Sequence, residues 1–557
     1  MSAPDPRMRW WGWGEDGAGG TGLTPAAEAM LGRELAPSPA PPRAELEDVA
    51  LPDSSLDGAI LERLGAAVGA DQVRRDRLAR VAHAAGKSYP DLIRLRSGDA
   101  SSAPDAVVYP GSREEVAAVL SECSAARVAC VPFGGGTSVV GGVEPDGDGL
   151  AGAISLDLAR MGRLLDADEH ALTATLEPGL TGPRAEEELR ARGLTLGHFP
   201  QSFEYATIGG FVATRSAGQA STGYGRIDDL VLGLRMTTPA GEVVVRPVPA
   251  SAAGPALREL LVGSEGTLGV ITEVTVAVRR APAARRYEAW SFRSLEDGVE
   301  ALRSVEQARA APDVARLSDA GETRLSMALS ARGGGGLAAA ARTAGERYLR
   351  LRGHAGGCLA ILGFEGEPRD LARRRTRVAR LLRSGGGLPL GQQPGRAWRK
   401  SRFRAPYLRD ELLDRGVLVD TLETATSWSN LLELDARVKE ALRSSLSARG
   451  TPPLVMCHVS HLYPSGASLY YTYLARQERG AELDQWRAAK RAASDAIMAS
   501  GGTITHHHAV GSDHAPWMRA EVGDRGLERL AAAKDRLDPA GIMNPGKLLS
   551  PRERDRG

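Results

Sequence analysis

A glycine-rich run, PFGGGTSVVGG at Pro132–Gly142, constrains the fold of this chain more than any other stretch. It directly follows the apolar residues Val128–Val131, which predict a strand. Glycine admits positive φ and leaves backbone N–H groups accessible, so such a run can wrap a pyrophosphate. A flexible linker is the alternative, but linkers rich in Gly and Ser are not bracketed by buried strands. The position therefore predicts a phosphate cradle at the end of a strand.

Length and composition indicate a globular protein of several domains. The chain has 557 residues, of which 42% are apolar and 25% charged, and two or three domains are expected. Its 70 basic and 69 acidic residues give a net charge of +1, so no nucleic-acid partner is expected. The four cysteines show no CxxC spacing, which favours a reducing compartment. No apolar run reaches the roughly 18 residues of a membrane span, and MSAPDPRMRWWGWGEDG lacks a secretory pattern, so a cytoplasmic protein is expected.

The order of elements predicts an α+β architecture in four segments. Residues 1–103 combine a tryptophan cluster, expected to clasp onto the body, with a Pro-rich run and two short helices between Ala59 and Ala85. Residues 104–281 alternate strands and helices, and Ser112 is the predicted N-cap of one helix. Residues 282–500 are helix-rich and arginine-rich, as expected of a substrate-binding cap domain. Residues 501–557 are predicted to return to the first domain.

Three further small-residue loops lie in the second segment: PQSFEYATIGGFVATRSAGQAS, TGYGRIDDLVLGLRM and LLVGSEGTLGVITEVTV. The last is the most specific, because it stands between a helix end and the β-branched strand Val270–Val278. Together with the first run, they predict a long ligand with phosphates at one end and a flat ring at the other, as in a dinucleotide. A Rossmann fold is disfavoured because no GxGxxG follows a strand.

The motifs PFGGGTSV, PQSFEYATIGG, YGRIDDLV and SEGTLGVITEV resemble the FAD-binding domain of the vanillyl-alcohol oxidase superfamily. Within it, the chain is most similar to the alkyldihydroxyacetonephosphate synthases, flavoenzymes that form the ether bond of ether lipids. The resemblance implies a two-subdomain FAD-binding domain with an α+β substrate cap domain. It places the cofactor at Pro132, Gly134, Gly135, Gly136, Thr137, Ser138, Pro200, Ser202, Thr207, Gly209, Gly210, Thr214, Ser216, Gly218, Glu265, Gly266, Thr267, Gly269, Val270 and Ile271.

The resemblance also implies what the protein does and with what. It implies exchange of the acyl group of acyl-dihydroxyacetone phosphate for a long-chain alcohol, with a flavin nitrogen holding the substrate carbon. A lipid substrate, a homodimer and peripheral membrane contact follow from the same family. Since Pro132–Gly142 contains no His or Cys for covalent attachment, FAD is expected to be bound non-covalently. A FAD-dependent oxidase or dehydrogenase of a 2-hydroxy acid or alcohol stays open as the alternative.

A histidine triplet, His506, His507 and His508, is the most conspicuous cluster of titratable residues. Histidine titrates nearest neutral pH and therefore suits proton transfer. On a strand, at most His506 and His508 would point together, and structural zinc usually takes four ligands, so no metal site is expected. The resemblance places the triplet at the reactive face of the flavin, and which histidine acts stays open.

Three other residues are candidates for catalysis. In YPSGASLYYTY, Tyr471 and Tyr473 are predicted to share the core face of a strand, which leaves Tyr470 on the other face. Tyr470 matches the tyrosine that the synthases use as an acid/base group. Arg409 in APYLRDELL matches the ligand of the substrate phosphate, and Arg316 in VARLSDAGETRL matches a second active-site arginine.

The chain departs from the synthase pattern near these residues. Ser512 stands where the synthases carry a lysine, and His458 and His461 stand where the animal enzymes have Arg and Gln. Histidines at i and i+3 also permit a metal pair, and FAD-linked 2-hydroxy-acid dehydrogenases of the superfamily use nearby histidine ligands. Those enzymes have a GDGN-like turn that PSGAS does not match. The departures leave the identity of the substrate open.

Overall fold

The structure is a computed structural model and describes residues 4–17, 22–330 and 336–549. Its α-helices are α1 Pro25–Leu35, α2 Gly58–Val68, α3 Arg77–Ala82, α4 Tyr89–Arg96, α5 Arg113–Ala126, α6 Gly182–Arg190, α7 Ile208–Ala213, α8 Ser221–Tyr224, α9 Ile227–Leu230, α10 Leu257–Leu261, α11 Leu295–Gln307, α12 Ala320–Ser330, α13 Gly336–Leu351, α14 Pro368–Ser384, α15 Gln393–Ser401, α16 Ala405–Asp414, α17 Leu431–Ala448, α18 Glu482–Ala499 and α19 Met518–Leu537. Short 3-10 helices span Leu46–Asp48, Ala70–Gln72, Leu158–Arg160 and Ala515–Trp517.

The strands are β1 Val73–Arg74, β2 Ala106–Val108, β3 Ala129–Phe133, β4 Ala153–Asp157, β5 Leu164–Asp168, β6 Thr173–Leu176, β7 Leu194–Thr195, β8 Val231–Thr238, β9 Gly241–Val245, β10 Val270–Ala277, β11 Arg279–Arg280, β12 Ala284–Phe292, β13 Val314–Ser318, β14 Cys358–Gly366, β15 Leu388–Gly391, β16 Val417–Ser427, β17 Leu454–Tyr463 and β18 Gly466–Arg476.

The glycine run begins at the end of β3, the edge strand of a small sheet. The strand order of this sheet is β1-β2-β4-β3, and β2 and β3 both run parallel to β4. Helix α5 packs on this sheet through an apolar stripe that includes Val116 and Leu120. Ser112 caps α5, and its Oγ accepts the Glu115 N–H at 3.2 Å, which confirms the predicted helix start. The predicted apolar strand is also confirmed, since β3 ends at Phe133 and passes directly into the glycines.

The second subdomain is an antiparallel sheet in the order β5-β6-β10-β8-β9. Its three central strands contribute Leu176, Leu234 and Val274 to a separate apolar core, which α6 and α7 cover. The strand predicted at Val270–Val278 is confirmed as β10. Two of the other small-residue loops, which contain Gly209 and Gly266, border the same cavity as the glycine run.

The cap domain is built on a seven-stranded antiparallel sheet in the order β15-β12-β14-β13-β17-β18-β16. Helices α11, α14, α17 and α18 contribute to the core on one face of this sheet. Tyr471 and Tyr473 are fully buried in that core, so the predicted alternation along β18 is confirmed. Tyr470 consequently lies on the opposite face of β18.

Both ends of the described chain pack onto these domains. Trp10 and Trp13 are buried, as expected of a tryptophan cluster that clasps the body. At the other end, Met543 forms a parallel bridge with Cys130 of β3. Asn544 then donates from Nδ2 to the Gly142 carbonyl at 3.0 Å. Within the described ranges, no helix is both long enough and apolar enough to cross a membrane.

Candidate active site

A cavity of about 420 Å³ lies between the glycine run and the open face of the cap sheet. Seventeen of the twenty residues predicted for the cofactor line it: Pro132, Gly134, Gly135, Gly136, Thr137, Ser138, Pro200, Ser202, Thr207, Gly209, Gly210, Thr214, Ser216, Glu265, Gly266, Gly269 and Ile271. Of the predicted catalytic residues, Arg316, Arg409, Tyr470, His507 and His508 line the same cavity. The fold therefore brings the glycine loops and the candidate catalytic groups to one site.

The glycine run has the geometry of a dinucleotide cradle. A Cβ on Gly134 would collide with Thr207 Oγ1, and one on Gly135 would collide with the Tyr205 carbonyl oxygen. Gly136 has φ of 62°, a conformation that favours glycine. All three glycines line the cavity, where the backbone N–H groups of such a run can bind a pyrophosphate. The residues present therefore fit the predicted ligand.

Three of the predicted cofactor positions lie behind the cavity wall. Gly218 packs against the backbone of Phe199, and an added Cβ would stand 2.6 Å from its nitrogen. Thr267 is buried and donates its hydroxyl to the Ser264 carbonyl at 2.7 Å. Val270 belongs to the apolar core of the first subdomain. None of the three lines the cavity, because Gly218 packs through its backbone and the side chains of Thr267 and Val270 are used in internal contacts.

Glu265 lines the cavity, but its carboxylate holds the C-terminal segment. The oxygens accept the backbone N–H groups of Val510 at 2.8 Å and Gly511 at 2.7 Å. Burial raises the pKa of Glu265 to about 7, while these two hydrogen bonds oppose the shift. Glu265 thus ties the segment after the histidine triplet to the cofactor cradle.

The register of the cap sheet positions Tyr470. Tyr470 pairs with Glu423 of β16 on one side and with His458 of β17 on the other. The ring of His458 stacks on the Tyr470 ring with centroids 4.8 Å apart and planes at 20°. His508 approaches Tyr470 edge-on at 5.3 Å, and His507 lies at 5.9 Å. The phenol is therefore surrounded by imidazoles.

Glu423 shapes the histidine triplet. Its carboxylate accepts the backbone N–H groups of His506 at 2.6 Å, His507 at 3.1 Å and His508 at 2.8 Å. The Thr505 hydroxyl donates to the same carboxylate at 2.6 Å. Three consecutive N–H groups can converge on one anion because residues 505–508 form an irregular turn rather than a strand. The expectation that His506 and His508 would share a strand face is therefore wrong.

The histidines converge differently from both sequence expectations. One ring nitrogen from each of His461, His506 and His507 lies within 4.8 Å of the others. His461 reaches this group because β17 has a register shift next to it and its φ is 50°. His458 turns instead to Glu322, with Nδ1 at 3.1 Å from Oε1. The i, i+3 pair of His458 and His461 consequently does not form.

Each imidazole of this group also contacts an oxygen. His506 Nε2 lies 2.7 Å from the Tyr463 hydroxyl, and His461 Nδ1 bonds to the Ser221 hydroxyl. His507 Nδ1 lies 3.5 Å from a Glu423 oxygen. His506 does not line the cavity, so it supports the site from behind, whereas His507 and His508 face the cavity.

Burial sets the protonation states of the cluster. It lowers the pKa of His458, His461, His506 and His508, and it lowers the pKa of His507 to about 4 although Glu423 opposes the shift. Burial also raises the pKa of Tyr470 to about 12. At neutral pH the imidazoles are neutral and the phenol is protonated. The site therefore holds proton acceptors beside a proton donor.

The two predicted arginines occupy different environments. Arg316 Nη2 donates to Glu322 Oε1 at 2.7 Å, so its charge is paired. Burial raises the pKa of Glu322, but Arg316 and His458 outweigh that effect and hold it well below the usual range. Arg409 donates from Nη1 to the Lys87 carbonyl, while its buried Nε and Nη2 have no hydrogen-bond partner among the described residues. Unpartnered guanidinium donors are suited to an anionic ligand.

Sequence reasoning missed Glu423, Glu322 and Trp13, which all belong to the site. Glu423 is buried and flanked by Leu422 and Thr424, and a carboxylate within such an apolar, β-branched run was a readable signal. Trp13 lines the cavity, although it lies more than 400 positions before Tyr470 in the sequence. No sequence pattern predicts that distant contact.

Comparison with known proteins agrees with this geometry. Residues 104–246 match the family model described as "FAD binding domain", and residues 281–548 match "FAD linked oxidases, C-terminal domain". An alkyldihydroxyacetonephosphate synthase from Dictyostelium discoideum is 36% identical over 86% of this chain and 79% of the relative. The synthase from Trypanosoma brucei brucei is 34% identical over 90% of this chain and 82% of the relative. A solved structure of an alkyldihydroxyacetonephosphate synthase superposes with a TM-score of 0.83 at 31% identity, covering 97% of this chain and 98% of that one.

The glycine cradle, the two subdomains around it and the cap sheet define a flavoprotein with the two-subdomain FAD-binding fold, and its cofactor is FAD. The chain belongs to the alkyldihydroxyacetonephosphate synthase family. The α+β fold and the cofactor predicted from the motifs are confirmed.

Proposed function

We propose that this enzyme replaces the acyl group of acyl-dihydroxyacetone phosphate with a long-chain alcohol, forming the ether bond of an ether lipid. The relatives that cover most of the chain carry the name of this synthase. Within the cavity, the observation that carries the proposal is the buried guanidinium of Arg409, whose Nε and Nη2 have no hydrogen-bond partner in the described part of the chain. A phosphate ester can accept from such a group, and leucines such as Leu408 and Leu412 on the same cavity wall suit an alkyl chain.

The proposed reaction needs two proton transfers and no net oxidation. The bond between the substrate carbon and the acyloxy oxygen breaks, a bond to the alcohol oxygen forms, and a fatty acid is released. Bound FAD supplies a ring nitrogen for this exchange of substituents. The alcohol loses its proton as its oxygen bonds, and the neutral imidazole of His507 or His508 is placed to accept it. The protonated phenol of Tyr470 is placed to donate its proton to the departing carboxylate oxygen, and the proton held by the imidazole then restores the phenol.

The remaining site residues hold these groups in place. Arg409 binds the substrate phosphate, and Arg316, fixed by Glu322, presents a second cation to the cavity. His506 helps to position His507, since their Nδ1 atoms lie within hydrogen-bond distance at 2.9 Å. The glycine loops hold the cofactor without a covalent bond, and the proposed mechanism uses no metal. The assignment of individual residues to these roles is part of the proposal.

We also propose a role for each of the four segments of the chain. Residues 104–281 bind FAD, residues 282–500 form the substrate cap, and residues 501–557 return to the flavin. Residues 1–103 extend the body at its N-terminal side. Supporting this division, the cavity is lined by Gly135 from the second segment, Tyr470 from the third and His508 from the fourth.

Incubation of purified, FAD-loaded protein with palmitoyl-dihydroxyacetone phosphate and labelled hexadecanol tests the function. The expected product is hexadecyl-dihydroxyacetone phosphate, with release of palmitate. Absence of ether product with a fully loaded cofactor would overturn the proposal. Anaerobic addition of 2-hydroxy acids tests the oxidase alternative, because bleaching of the flavin absorbance would indicate hydride transfer.

We further propose that the enzyme is a cytoplasmic homodimer with peripheral membrane contact. The support is the resemblance to the synthases and the long-chain substrates, which partition into membranes. Light scattering after size exclusion and co-flotation with phospholipid vesicles test both statements. A monomeric mass or complete absence from the vesicle fraction would contradict the corresponding part.

A further inference from the structure

The N-terminal residues 9–14, with the sequence RWWGWG, form a strap across helix α16 of the cap domain; we call them the tryptophan strap. The Trp13 backbone N–H donates to Asp410 Oδ2 at 2.7 Å, and the Arg9 guanidinium contacts the same oxygen at 3.4 Å. Lys87 Nζ donates to the carbonyls of Arg9 at 3.0 Å and Trp10 at 3.1 Å. Because Asp410 and Lys87 are themselves buried, they anchor the strap to the body.

The Trp13 side chain forms part of the cavity wall. It is 2% exposed and meets the ring of Tyr205 edge-on, with centroids 5.6 Å apart. Its indole N–H has no hydrogen-bond partner among the described residues. The strap therefore holds the ring in place as part of the cavity wall.

Helix α16 connects the strap to the predicted phosphate ligand. Asp410 turns toward the strap, whereas its neighbour Arg409 and the apolar residues Leu408 and Leu412 line the cavity. Arg409 also donates to the carbonyl of Lys87, the residue whose Nζ holds the strap. The ring of Trp13 and the anion-binding end of the cavity are thus fixed by the same short helix.

We propose that Trp13 is a specificity-determining residue that limits the length of the hydrocarbon chain in the cavity, an inference that rests on the proposed function. An indole ring occupies space that additional methylenes would need. Burial of one methylene contributes about 0.8 kcal/mol, or about fourfold in kcat/KM. Trp13→Ala opens that space, so alcohols longer than the wild-type optimum gain about fourfold for each methylene that enters it.

The experiment compares saturated alcohols from decanol to docosanol in the FAD-loaded wild type and in Trp13→Ala, Trp13→Leu and Trp13→Phe. The chain-length optimum should move to longer alcohols in Trp13→Ala, move less in Trp13→Leu and stay in place in Trp13→Phe. Trp11→Ala is the matched control, because Trp11 also belongs to the tryptophan strap but does not line the cavity. Its ring stacks instead on the guanidinium of Arg43, whose Cζ lies 3.6 Å from the ring centroid. The optimum of Trp11→Ala should equal that of the wild type. Trp13→Leu decides the outcome if Trp13→Ala does not fold.

An unchanged optimum in Trp13→Ala, or in Trp13→Leu where that variant decides, would overturn the inference. So would an equal shift in Trp11→Ala, since the effect would then come from the strap as a whole. Binding of the same alcohols, followed by flavin fluorescence without the acyl substrate, separates this inference from the proposed function. If no variant forms ether product but the binding optimum shifts, the proposed function fails and the role of Trp13 stands. If ether product forms and neither optimum shifts, the proposed function stands and the inference about Trp13 fails.

Discussion

Tyr470 lies directly opposite Glu423 in the register of β16 and β18. The sheet thereby fixes the distance between the phenol and the carboxylate that holds the histidine turn. A shift of one residue in this register would move Tyr470 to the core face. Catalytic geometry at this site therefore depends on strand pairing as well as on side-chain packing.

Tyr470→Phe should lower turnover by about 100-fold or more, because it removes a positioned proton donor. FAD content should stay at the wild-type level, since Tyr470 lies outside the glycine loops. The measurement is single-turnover formation of ether product, with the cofactor quantified by absorbance. Tyr471→Phe is the matched control, because Tyr471 is buried in the cap core and does not line the cavity. If Tyr470→Phe and Tyr471→Phe have equal turnover, Tyr470 is not the proton donor.

Arg409→Lys should raise KM for acyl-dihydroxyacetone phosphate by about tenfold to a hundredfold, since a hydrogen bond to a charged group is worth about 1.5–3 kcal/mol. KM for the alcohol should change little, because the alcohol carries no phosphate. Steady-state kinetics with each substrate varied in turn measure this split. Arg415→Lys, near the end of the same helix and paired with exposed Glu28, serves as the control. A parallel rise in both KM values would argue against phosphate binding by Arg409.

Gly135→Ala should abolish stable FAD binding. The added Cβ would stand 2.8 Å from the Tyr205 carbonyl carbon and 2.9 Å from Ala206 Cα, and both are backbone atoms that cannot turn aside. The ratio of FAD to protein after purification measures the effect. Gly32→Ala on helix α1 meets nothing within 4 Å and should keep full occupancy. Normal FAD content in Gly135→Ala would show that the cradle does not need this close approach.

Glu423→Gln should lower the free energy of unfolding by about 2 kcal/mol, because it weakens hydrogen bonds to a buried carboxylate. Burial raises the pKa of Glu423, but His507 and His508 outweigh it and hold that pKa well below the usual range. Glu433→Gln, at an exposed position on α17, is the control and should have little effect on stability. Urea denaturation of the FAD-loaded protein measures the difference.

Stability should fall on acidification from about pH 6.5 toward pH 4. Burial lowers the pKa of His507 to about 4, so in this window the unfolded chain binds a proton that the folded chain does not. Each such histidine contributes a slope of about 1.4 kcal/mol per pH unit. His507→Gln should reduce that slope, whereas exposed His170→Gln should leave it unchanged. A stability that does not vary across this window would show that the cluster is already charged.

The sequence allows the cofactor domain to be predicted because its signals are local. Glycines that directly follow a strand, as at Gly134 and Gly135, permit the close backbone approach that a phosphate cradle needs. The side of β18 on which Tyr470 lies also follows from simple alternation. By contrast, the turn at His506–His508 could not be predicted, since an anion supplied by β16 shapes it. The contact of Trp13 with the cavity likewise depends on the folded cap domain.

The pairing of β3 with the C-terminal segment has a consequence for how the enzyme is made. Asn544 bonds the Gly142 carbonyl across 402 positions of sequence, and Met543 pairs with Cys130. During synthesis the glycine cradle therefore emerges from the ribosome long before the residues that brace it. The complete cofactor site therefore exists only after Asn544 has been synthesised and has reached Gly142.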